Sequence, residues 1–254
     1  MTLPRTPSFR LDGRRALVAG ASSGIGLAAA VALAEQGAHV VLVARRAEAL
    51  AATVVEMQAA GFSAEAFALD ITDLDATAAA VAAHGPFDVL VNSAGLARHS
   101  PAIATTPQDY DAAQALNVRA AYFLATAVAK GLIAAQRPGS IITISSQMGH
   151  VGGIDRAVYC ATKHAVEGMT KSMAIEWGPH GIRVNTICPT FIRTPLGEQT
   201  LQNPERLAWI VSKIKLGRVG EVEDIMGATA FLASDAAALI TGTALMVDGG
   251  WTAD

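Results

Sequence analysis

The amino-acid sequence predicts an α/β fold: one doubly wound domain over residues 1–254, in which a seven-stranded parallel sheet carries helices on both faces. Two observations predict this architecture. Short apolar runs alternate with alanine-rich helical stretches from Arg14 onwards, which is the pattern of repeated βα units. The composition, with 52% hydrophobic and 16% charged residues, supplies enough apolar side chains for a sizeable core.

Each element is predicted from its local pattern. Strands are expected at the short apolar runs, and helices at the alanine-rich stretches, several of which begin near Asp, Ser or Thr and end before Gly. The predicted strands are residues 16–19, 40–44, 64–69, 89–91, 140–145, 183–188 and 244–247. The predicted helices are residues 25–35, 47–60, 72–83, 107–135, 158–177 and 222–233.

One stretch, residues 191–220, interrupts the alternation of strands and helices. It contains Pro195 and Pro204 and has glycine-bearing sequence at its ends. A long segment of this kind in a compact α/β domain often has a function of its own, so we expect it to act as a lid over a substrate.

The charge pattern excludes several classes of function. The net charge is −3, and the 14 Arg and 5 Lys are scattered, which disfavours nucleic-acid binding. The N-terminus lacks the apolar core of a signal peptide, and no uninterrupted apolar run reaches about 18 residues, so we expect a cytoplasmic protein that does not use a membrane. Two cysteines, Cys160 and Cys188, predict neither a disulfide framework nor a metal site, and we expect both to pack as small apolar groups.

A glycine-rich turn follows the first predicted strand and opens the first predicted helix. The spacing is Gly20-x-x-x-Gly24-x-Gly26. Glycine allows the backbone to turn tightly and approach a pyrophosphate, while the N–H groups at the start of the helix face the anion. We therefore predict a dinucleotide-binding turn. Its predicted cofactor-binding residues are Gly20, Ser22, Ser23, Gly24, Ile25 and Gly26.

The end of the second predicted strand bears on which dinucleotide binds. A site for NAD(H) usually places Asp or Glu there to bind the ribose 2′-hydroxyl, but this chain has Ala44. Arg45 and Arg46 follow and offer forked donors to a 2′-phosphate. NADP(H) is therefore favoured over NAD(H), with Arg45 as its reader. The alternative is that both arginines are solvated residues at the start of a helix.

A second motif is a Tyr–Lys pair. Tyr159 and Lys163 are four apart, so they share one face of a helix, and Ser146 precedes Tyr159 by thirteen residues. A nearby ammonium favours the ionised phenol. Lowering a phenol pKa by roughly three units requires about 4 kcal/mol, which implies a partly dry cleft and a second cation such as a nicotinamide. The pair alone is a weak signal and gains its weight from the glycine-rich turn.

Taken together, these motifs closely resemble those of the classical short-chain dehydrogenase/reductases, and the match spans nearly the whole chain. The residues that carry the resemblance are the glycine-rich turn, Asn92-Ser93-Ala94-Gly95, Asn117, Ser146, Tyr159, Lys163 and Val-Asp-Gly-Gly at 247–250. The resemblance implies a Rossmann-type catalytic domain and an NAD(P)-dependent enzyme that interconverts a small-molecule carbonyl and alcohol. It also implies a homotetramer, with the 247–250 segment packing between subunits.

The resemblance implies a role for each catalytic candidate. Tyr159 would act as acid or base, and Ser146 would hold the substrate oxygen. Lys163 would bind ribose hydroxyls and lower the pKa of Tyr159. Asn117 would hold a water that links Lys163 to solvent; taken alone, it could equally be an ordinary capping or core asparagine.

Further cofactor contacts follow from the same resemblance. They are Asp70, Ile71, Asn92, Ala94, Gly95, Tyr159, Lys163, Pro189, Ile192 and Thr194. Asp70 also fits a helix cap for the segment that begins at Thr72. The chain departs from the family pattern at Thr190, where Gly is usual, and at Ala19, where Thr is common. Thr190 is expected to narrow the space beside the nicotinamide.

The substrate is less well defined by the sequence. The candidate substrate contacts are Gln147, His150, Arg156, Phe191 and Leu196, each of which also fits an ordinary surface or packing role. Sugar acids or polyols, 3-oxoacyl thioesters and hydrophobic ketones remain open as substrates, and an NAD-dependent dehydrogenase remains an alternative. A non-catalytic dinucleotide sensor is the alternative of a different class.

Overall fold

The computed structural model describes residues 2–253, except the side chains of Leu196 and Gln199. The strands are β1 (Arg15–Ala19), β2 (His39–Ala44), β3 (Ala64–Ala68), β4 (Val89–Asn92), β5 (Gly139–Ile144), β6 (Ile182–Pro189) and β7 (Ala244–Val247). The helices are α1 (Gly24–Glu35), α2 (Ala47–Ala59), α3 (Leu74–His84), α4 (Pro107–Gln114), α5 (Ala121–Ala134), α6 (Ala157–Trp177), α7 (Pro195–Leu201), α8 (Pro204–Lys213) and α9 (Glu223–Ala233).

The seven strands form one parallel sheet in the order β3-β2-β1-β4-β5-β6-β7. Helices cover both faces, so the predicted doubly wound fold is confirmed. The strand order reverses between β1 and β4, and in such sheets the connections leave the two strands in opposite directions. A crevice therefore opens beside the carboxyl ends of β1 and β4.

Both faces of the sheet are buried, as the near-continuous apolar strands require. In β1, Ala16 and Val18 contact the core cluster that includes α1, α2 and α9, whereas Leu17 and Ala19 contact the cluster that includes α3, α5 and α6. Successive residues of a strand point to opposite faces. The central strands are therefore apolar toward both faces, whereas the edge strand β3 keeps Glu65 exposed.

The start of α3 differs from the prediction. The helix begins at Leu74, because Asp73 precedes it and accepts a hydrogen bond from the backbone N–H of Ala76 at 3.0 Å. Asp70 instead accepts from the N–H and hydroxyl of Thr72, at 3.0 and 2.7 Å. Asp70 therefore stabilises the turn before α3, and the suggestion that it caps this helix is wrong.

The single helix predicted for residues 107–135 is divided. A π-helical turn, Ala115–Ala120, separates α4 from α5. Wide turns of this type are rare and frequently occur at functional sites. This one contains Asn117, which is buried.

The segment predicted as a lid contains two helices that the sequence reading missed. Pro195 and Pro204 occupy first positions of α7 and α8. Thr194 and Asn203 cap them by accepting from backbone N–H groups at 3.1 and 2.9 Å. Proline fits the first helical turn because the N–H that it lacks has no partner there. The lid function itself stays a prediction.

One helical stretch, Pro107–Ala134, is long and apolar enough to cross a membrane, by length and composition only. In the fold it contributes Ala120, Leu124, Val128 and Leu132 to the core. The core helix of a water-soluble protein passes the same test, and the observed packing is that of a core helix. The expectation of a cytoplasmic protein stays a prediction.

Two glycines set the shape of the turn after β1. Gly20 has φ of +78°, and a Cβ there would lie 2.7 Å from the backbone nitrogen of Ala94. A Cβ on Gly26 would lie 2.2 Å from the carbonyl oxygen of Gly20. The glycine-rich turn therefore packs directly on the loop after β4, and the first helical turn of α1 packs directly on the glycine-rich turn.

We predict that Gly26→Ala lowers the free energy of unfolding by about 1–3 kcal/mol, the usual range for overpacking, because the backbone has to move to make room for the added methyl group. Gly131→Ala is the matched control, since a Cβ at this position in α5 meets nothing within 4 Å. That change should be neutral or stabilise by up to about 1 kcal/mol. Denaturant unfolding of both variants measures the difference, and equal stability would contradict the proposed close packing.

Candidate active site

A cleft of about 870 Å³ lies at the carboxyl ends of the central strands. It is lined by all but two of the predicted cofactor-binding residues. Those that line it are Gly20, Ser22, Ser23, Gly24, Ile25, Arg45, Asp70, Ile71, Ala94, Gly95, Tyr159, Lys163, Pro189, Ile192 and Thr194. Gly26 and Asn92 do not line it. Gly26 packs against the carbonyl of Gly20, and the Asn92 side chain holds the loop that contains Ala94.

The glycine-rich turn forms one end of the cleft. Ser23, which precedes α1, makes no side-chain capping bond, and the first turn of α1 contains no acidic residue. The first N–H groups of the helix are therefore available to an anion. Arg46 donates a long hydrogen bond of 3.4 Å to Ser22. Among the described residues, the Arg45 side chain has no hydrogen bond or ion pair.

These features fit a phosphate-bearing dinucleotide. An uncapped helix end and an unpaired guanidinium are donors that lack acceptors. Asp70 lies at the same end of the cleft, and its pKa is lowered, first by the hydrogen bonds from Thr72 and also by the charge of Arg45. The carboxylate of Asp70 can therefore accept a hydrogen bond beside the guanidinium of Arg45. The sequence analysis expects the adenosine of a dinucleotide at this end of the cleft.

A chain of hydrogen bonds joins the loop after β4 to helix α6. Asn92 accepts from the N–H of Ala94 at 3.1 Å. Asn117 accepts from the N–H of Leu96 and donates to its carbonyl, both at 2.8 Å. The other amide proton of Asn117 goes to the hydroxyl of Thr162 at 3.1 Å. Asn117 thus clamps the loop to α6, a contact that the sequence did not reveal.

Ser146, Tyr159 and Lys163 come together in the cleft as predicted. Ser146 follows β5, and its hydroxyl oxygen accepts from the N–H of Met148 at 3.1 Å. The Nζ atom of Lys163 donates to the carbonyl of Ile144 at 2.9 Å and lies 5.6 Å from the centre of the Tyr159 ring. The hydroxyl proton of Ser146 is left to donate toward the phenol oxygen of Tyr159, an interaction that favours the ionised phenol.

Burial governs the charge of Lys163. It lowers the pKa of the ammonium to about 8, while Cys188 and Glu167 act in the opposite direction. Desolvation disfavours a charged lysine, and nearby negative groups favour it. The protonated and neutral forms are therefore close in free energy near neutral pH.

The pKa of the Tyr159 phenol is raised in the protein without ligands. Burial is the largest cause, and the hydroxyl of Ser146 and the charge of Arg156 only partly offset it. Arg156 is thus a cation near the phenol that the sequence did not indicate. The expectation that Lys163 and a further cation lower this pKa stays a prediction.

A polar cluster behind Lys163 was not predicted. Glu167 is buried, and it accepts from the hydroxyl of Thr186 at 2.9 Å and from the thiol of Cys188 at 3.3 Å. Burial raises the pKa of this thiol to about 12. Cys188 therefore does not pack only as an apolar group. The available signal was spacing, since Glu167 lies one helical turn after Lys163.

The predicted substrate residues divide between the cleft and its surroundings. Gln147, Arg156 and Phe191 line the cleft. His150 does not line it, because its Nε2 faces the polar cluster, 3.5 Å from the sulfur of Cys188. The prediction that His150 contacts substrate is therefore not supported by its position. The Leu196 side chain lies outside the described residues.

Several polar atoms in the cleft have no partner in the protein. Both amide atoms of Gln147 and the hydroxyl of Thr190 are buried without a hydrogen bond among the described residues. Such groups are rare in native proteins, because each costs free energy to desolvate. Their position in the cleft indicates that a ligand or water supplies the missing partners. Thr190 adds a hydroxyl where the family pattern has glycine.

An outer cavity of about 400 Å³ continues the cleft beyond Met148, Arg156 and Phe191. Trp209 from α8 and Trp251 near the C-terminus form its aromatic wall, with ring centroids 5.6 Å apart. The segment predicted as a lid therefore borders both spaces: Thr194 lies beside Gly24 of the glycine-rich turn, and Trp209 lines the outer cavity.

The chain resembles well-described proteins over almost its whole length. A family model described as enoyl-(acyl carrier protein) reductase matches residues 20–252. D-erythrulose reductase of Gallus gallus is 42% identical over 245 residues, covering 96% of this chain and 98% of that protein. Gluconate 5-dehydrogenase of Gluconobacter oxydans (strain 621H) is 41% identical over 248 residues, 96% of each.

Solved structures match the fold equally well. The crystal structure of a gluconate 5-dehydrogenase from Burkholderia cenocepacia J2315, in complex with NADP and tartrate, is 37% identical to this chain. The two superpose with a TM-score of 0.93 over 97% of this chain and 98% of that one.

We predict that, without any ligand, Tyr159 titrates above the ordinary phenol value of about 10, because burial is the largest influence on it. The measurement is phenolate ultraviolet absorbance against pH, taken as the difference between the unmodified protein and Tyr159→Phe. Tyr110 and Tyr122 cancel in this difference. A component that titrates below 10 would mean that an additional cation acts on the phenol.

Proposed function

The chain belongs to the classical short-chain dehydrogenase/reductase family, and from this premise we propose that it is an NADP(H)-preferring enzyme that interconverts a carbonyl and a secondary alcohol by hydride transfer. Its relatives are named reductases and dehydrogenases, so the chain is an oxidoreductase of that family. What we propose beyond this is the role of each residue, the preference for NADP(H) and the class of substrate.

One observation carries the proposal. Ser146, Tyr159 and Lys163 line the same cleft as the glycine-rich turn. A dinucleotide-binding scaffold without catalysis has no need of a hydroxyl, a phenol and an amine converging beside the cofactor end. Three convergent proton-handling groups favour an enzyme over the sensor alternative.

The preference for NADP(H) rests on Arg45. Its guanidinium has no partner among the described residues and lies at the cleft end that follows β2, where a 2′-phosphate is read in dinucleotide-binding folds. Ala44 offers no carboxylate to a 2′-hydroxyl. The solved gluconate 5-dehydrogenase, which contains NADP, is consistent with this choice.

The protein residues divide the work of a reduction. When bound, NADPH supplies the hydride. Tyr159 gives its phenol proton to the carbonyl oxygen as negative charge develops there, and Ser146 donates a second hydrogen bond to the same oxygen. Lys163 holds the cofactor ribose and returns a proton to Tyr159. Asn117 positions the water path to Lys163. Oxidation of the alcohol is the reverse sequence.

The substrate class that the cleft favours is a polyhydroxylated ketone or alcohol. The unpaired amide of Gln147 and the unpaired hydroxyl of Thr190 are hydrogen-bonding groups that an apolar ketone would leave unsatisfied. A sugar or polyol supplies hydroxyls to both. Proteins of this chemistry are among the relatives, including D-erythrulose reductase. A 3-oxoacyl thioester satisfies these groups less well.

The homotetramer implied by the family is also part of the proposal. Helices α4 and α5 leave Tyr110, Tyr122 and Phe123 between 43% and 47% exposed. Large apolar side chains side by side on one surface favour self-association. Light scattering of the purified protein measures the assembly, and a monomeric mass would remove this part of the proposal.

We predict that Tyr159→Phe lowers kcat by about 10²–10⁴-fold, the usual contribution of a proton-transfer group, and leaves NADPH binding intact. Tyr122→Phe, on the exposed face of α5, is the matched control and should keep full activity. Turnover and NADPH affinity are measured on each variant. Loss of NADPH affinity together with activity would show that Tyr159 acts on cofactor binding or folding instead.

We predict that Arg45→Ala weakens NADPH binding by about 10–100-fold, because hydrogen bonds to charged groups contribute about 1.5–3 kcal/mol. Binding of NADH, which has no 2′-phosphate, is the internal control and should change by less than about threefold. Fluorescence titration with each cofactor gives both constants. An equal loss for the two cofactors would contradict recognition of the 2′-phosphate by Arg45.

A further inference from the structure

Arg156 is an unusual residue in the cleft, because its charge is buried and incompletely paired. Its side chain belongs to a residue that is only 6% exposed. One nitrogen, Nη1, donates to Nε2 of His99, and the guanidinium carbon lies 5.4 Å from the ring centre of Phe191. The other nitrogen, Nη2, is buried and has no hydrogen-bond partner in the described protein.

The surroundings of Arg156 add the positive charge of Arg206, and the carboxylate whose charge opposes it, that of Asp155, forms no ion pair with Arg156 among the described residues. Burial and the charges of Arg156 and Arg206 lower the pKa of His99 to about 4, so this ring is neutral at physiological pH. A neutral ring can accept from Arg156 but cannot balance its charge. Asp155 and Glu205 line the outer cavity, and neither forms an ion pair with either arginine among the described residues.

An isolated buried guanidinium is costly, because it gives up hydration without gaining an anion. Burial, followed by the charge of Arg206, accordingly lowers the pKa of Arg156. A structural ion pair reduces this cost, because a carboxylate of the same protein balances the buried charge. No carboxylate of the described residues pairs with Arg156, so the balancing anion would belong to a bound molecule.

We propose that Arg156, assisted by Arg206, binds a carboxylate of the substrate through Nη2, so that the enzyme acts on keto acids and hydroxy acids of the sugar class. This inference rests on the proposed function of the cleft and narrows its substrate. A guanidinium fork matches a carboxylate in shape and charge. His99 and Phe191 hold the fork in place from two sides.

The position of Arg156 defines which end of the substrate carries the acid. Tyr159 lines only the cleft, whereas Arg156 lines both the cleft and the outer cavity. The carboxylate is therefore placed on the side of the outer cavity, toward Trp209, and the reacting carbonyl in the cleft beside Tyr159.

The proposal predicts which of two kinds of substrate, both named among the relatives, this chain prefers. D-erythrulose reductase is named for an uncharged sugar, and gluconate 5-dehydrogenase for a sugar acid. An uncharged sugar can offer a hydroxyl oxygen to Nη2 of Arg156 but no negative charge, so it would leave the buried guanidinium without a counter-ion, whereas the carboxylate of a sugar acid balances it. The chain should therefore favour the acid.

The test compares two substrates that differ only at the acid end. In 5-keto-D-gluconate this end is a carboxylate, and in L-sorbose it is a hydroxymethyl group. The kcat/KM of the unmodified enzyme with NADPH should be at least about tenfold higher for the acid. In Arg156→Gln, the ratio of the two kcat/KM values should fall by about tenfold or more, with most of the change in KM for the acid.

The ratio is the correct readout, because Arg156 also acts on the pKa of Tyr159 and its loss alters the turnover of both substrates. Arg193→Gln is the control, since this arginine is exposed and paired with Glu221 at 3.2 Å outside the cleft. Arg156→Lys keeps a charge without the fork and should retain part of the ratio. An unchanged ratio in Arg156→Gln would overturn the proposal, as would a preference of the unmodified enzyme for L-sorbose.

A binding measurement separates this inference from the proposed function. Calorimetry with D-gluconate, and with D-sorbitol as its uncharged counterpart, is carried out on the protein loaded with NADP⁺. Binding of D-gluconate that is lost in Arg156→Gln supports the carboxylate site even where neither ketone is reduced. No binding of D-gluconate, or equal binding of D-sorbitol, overturns it even where L-sorbose is reduced.

Discussion

The close approach of two backbone segments is the constraint on which the site depends. The turn after β1 touches the loop after β4 because Gly20 has no side chain to separate them. Asn117, in the π-helical turn, binds Leu96 of that loop and Thr162 of α6, and the hydroxyl of Thr162 donates to the carbonyl of Tyr159 at 2.8 Å. The glycine-rich turn and helix α6 are thus linked through direct contacts. A shift of the turn would be transmitted to Tyr159 and Lys163.

Burial then sets the electrostatics of the site. It lowers the pKa of Lys163 and raises that of Tyr159, so that both groups are held away from their charged forms. A cleft that excludes water makes each remaining charge more effective, because little solvent screens it. In the proposed function, ligands supply the missing opposite charges: phosphates at the helix end and Arg45, and an acid at Arg156.

The sequence predicted the sheet, and it predicted that Ser146, Tyr159 and Lys163 meet in one cleft, because both depend on local pattern and fixed spacing. It did not predict α7 and α8, because Pro195 and Pro204 also break helices, although Thr-Pro and Asn-Pro pairs are signals for a helix start. The orientation of His150 and the pairing of Glu167 with Cys188 depend on how α6 packs on β6, which no local pattern encodes. The effect of burial on the pKa of Tyr159 was not predicted, because burial is a property of the folded molecule. The burial of Arg156 could not be foreseen for the same reason.

The most direct test of the central claim is the oxidation of reduced nicotinamide, followed by absorbance, with NADPH and separately NADH. The carbonyl panel contains polyhydroxylated ketones, sugar-acid ketones, a 3-oxoacyl thioester and an apolar ketone. The account predicts turnover of polyhydroxylated ketones, faster with NADPH than with NADH. Binding of NADPH without turnover of any carbonyl, and without turnover of the corresponding alcohols with NADP⁺ or NAD⁺, would contradict the account and favour a dinucleotide sensor.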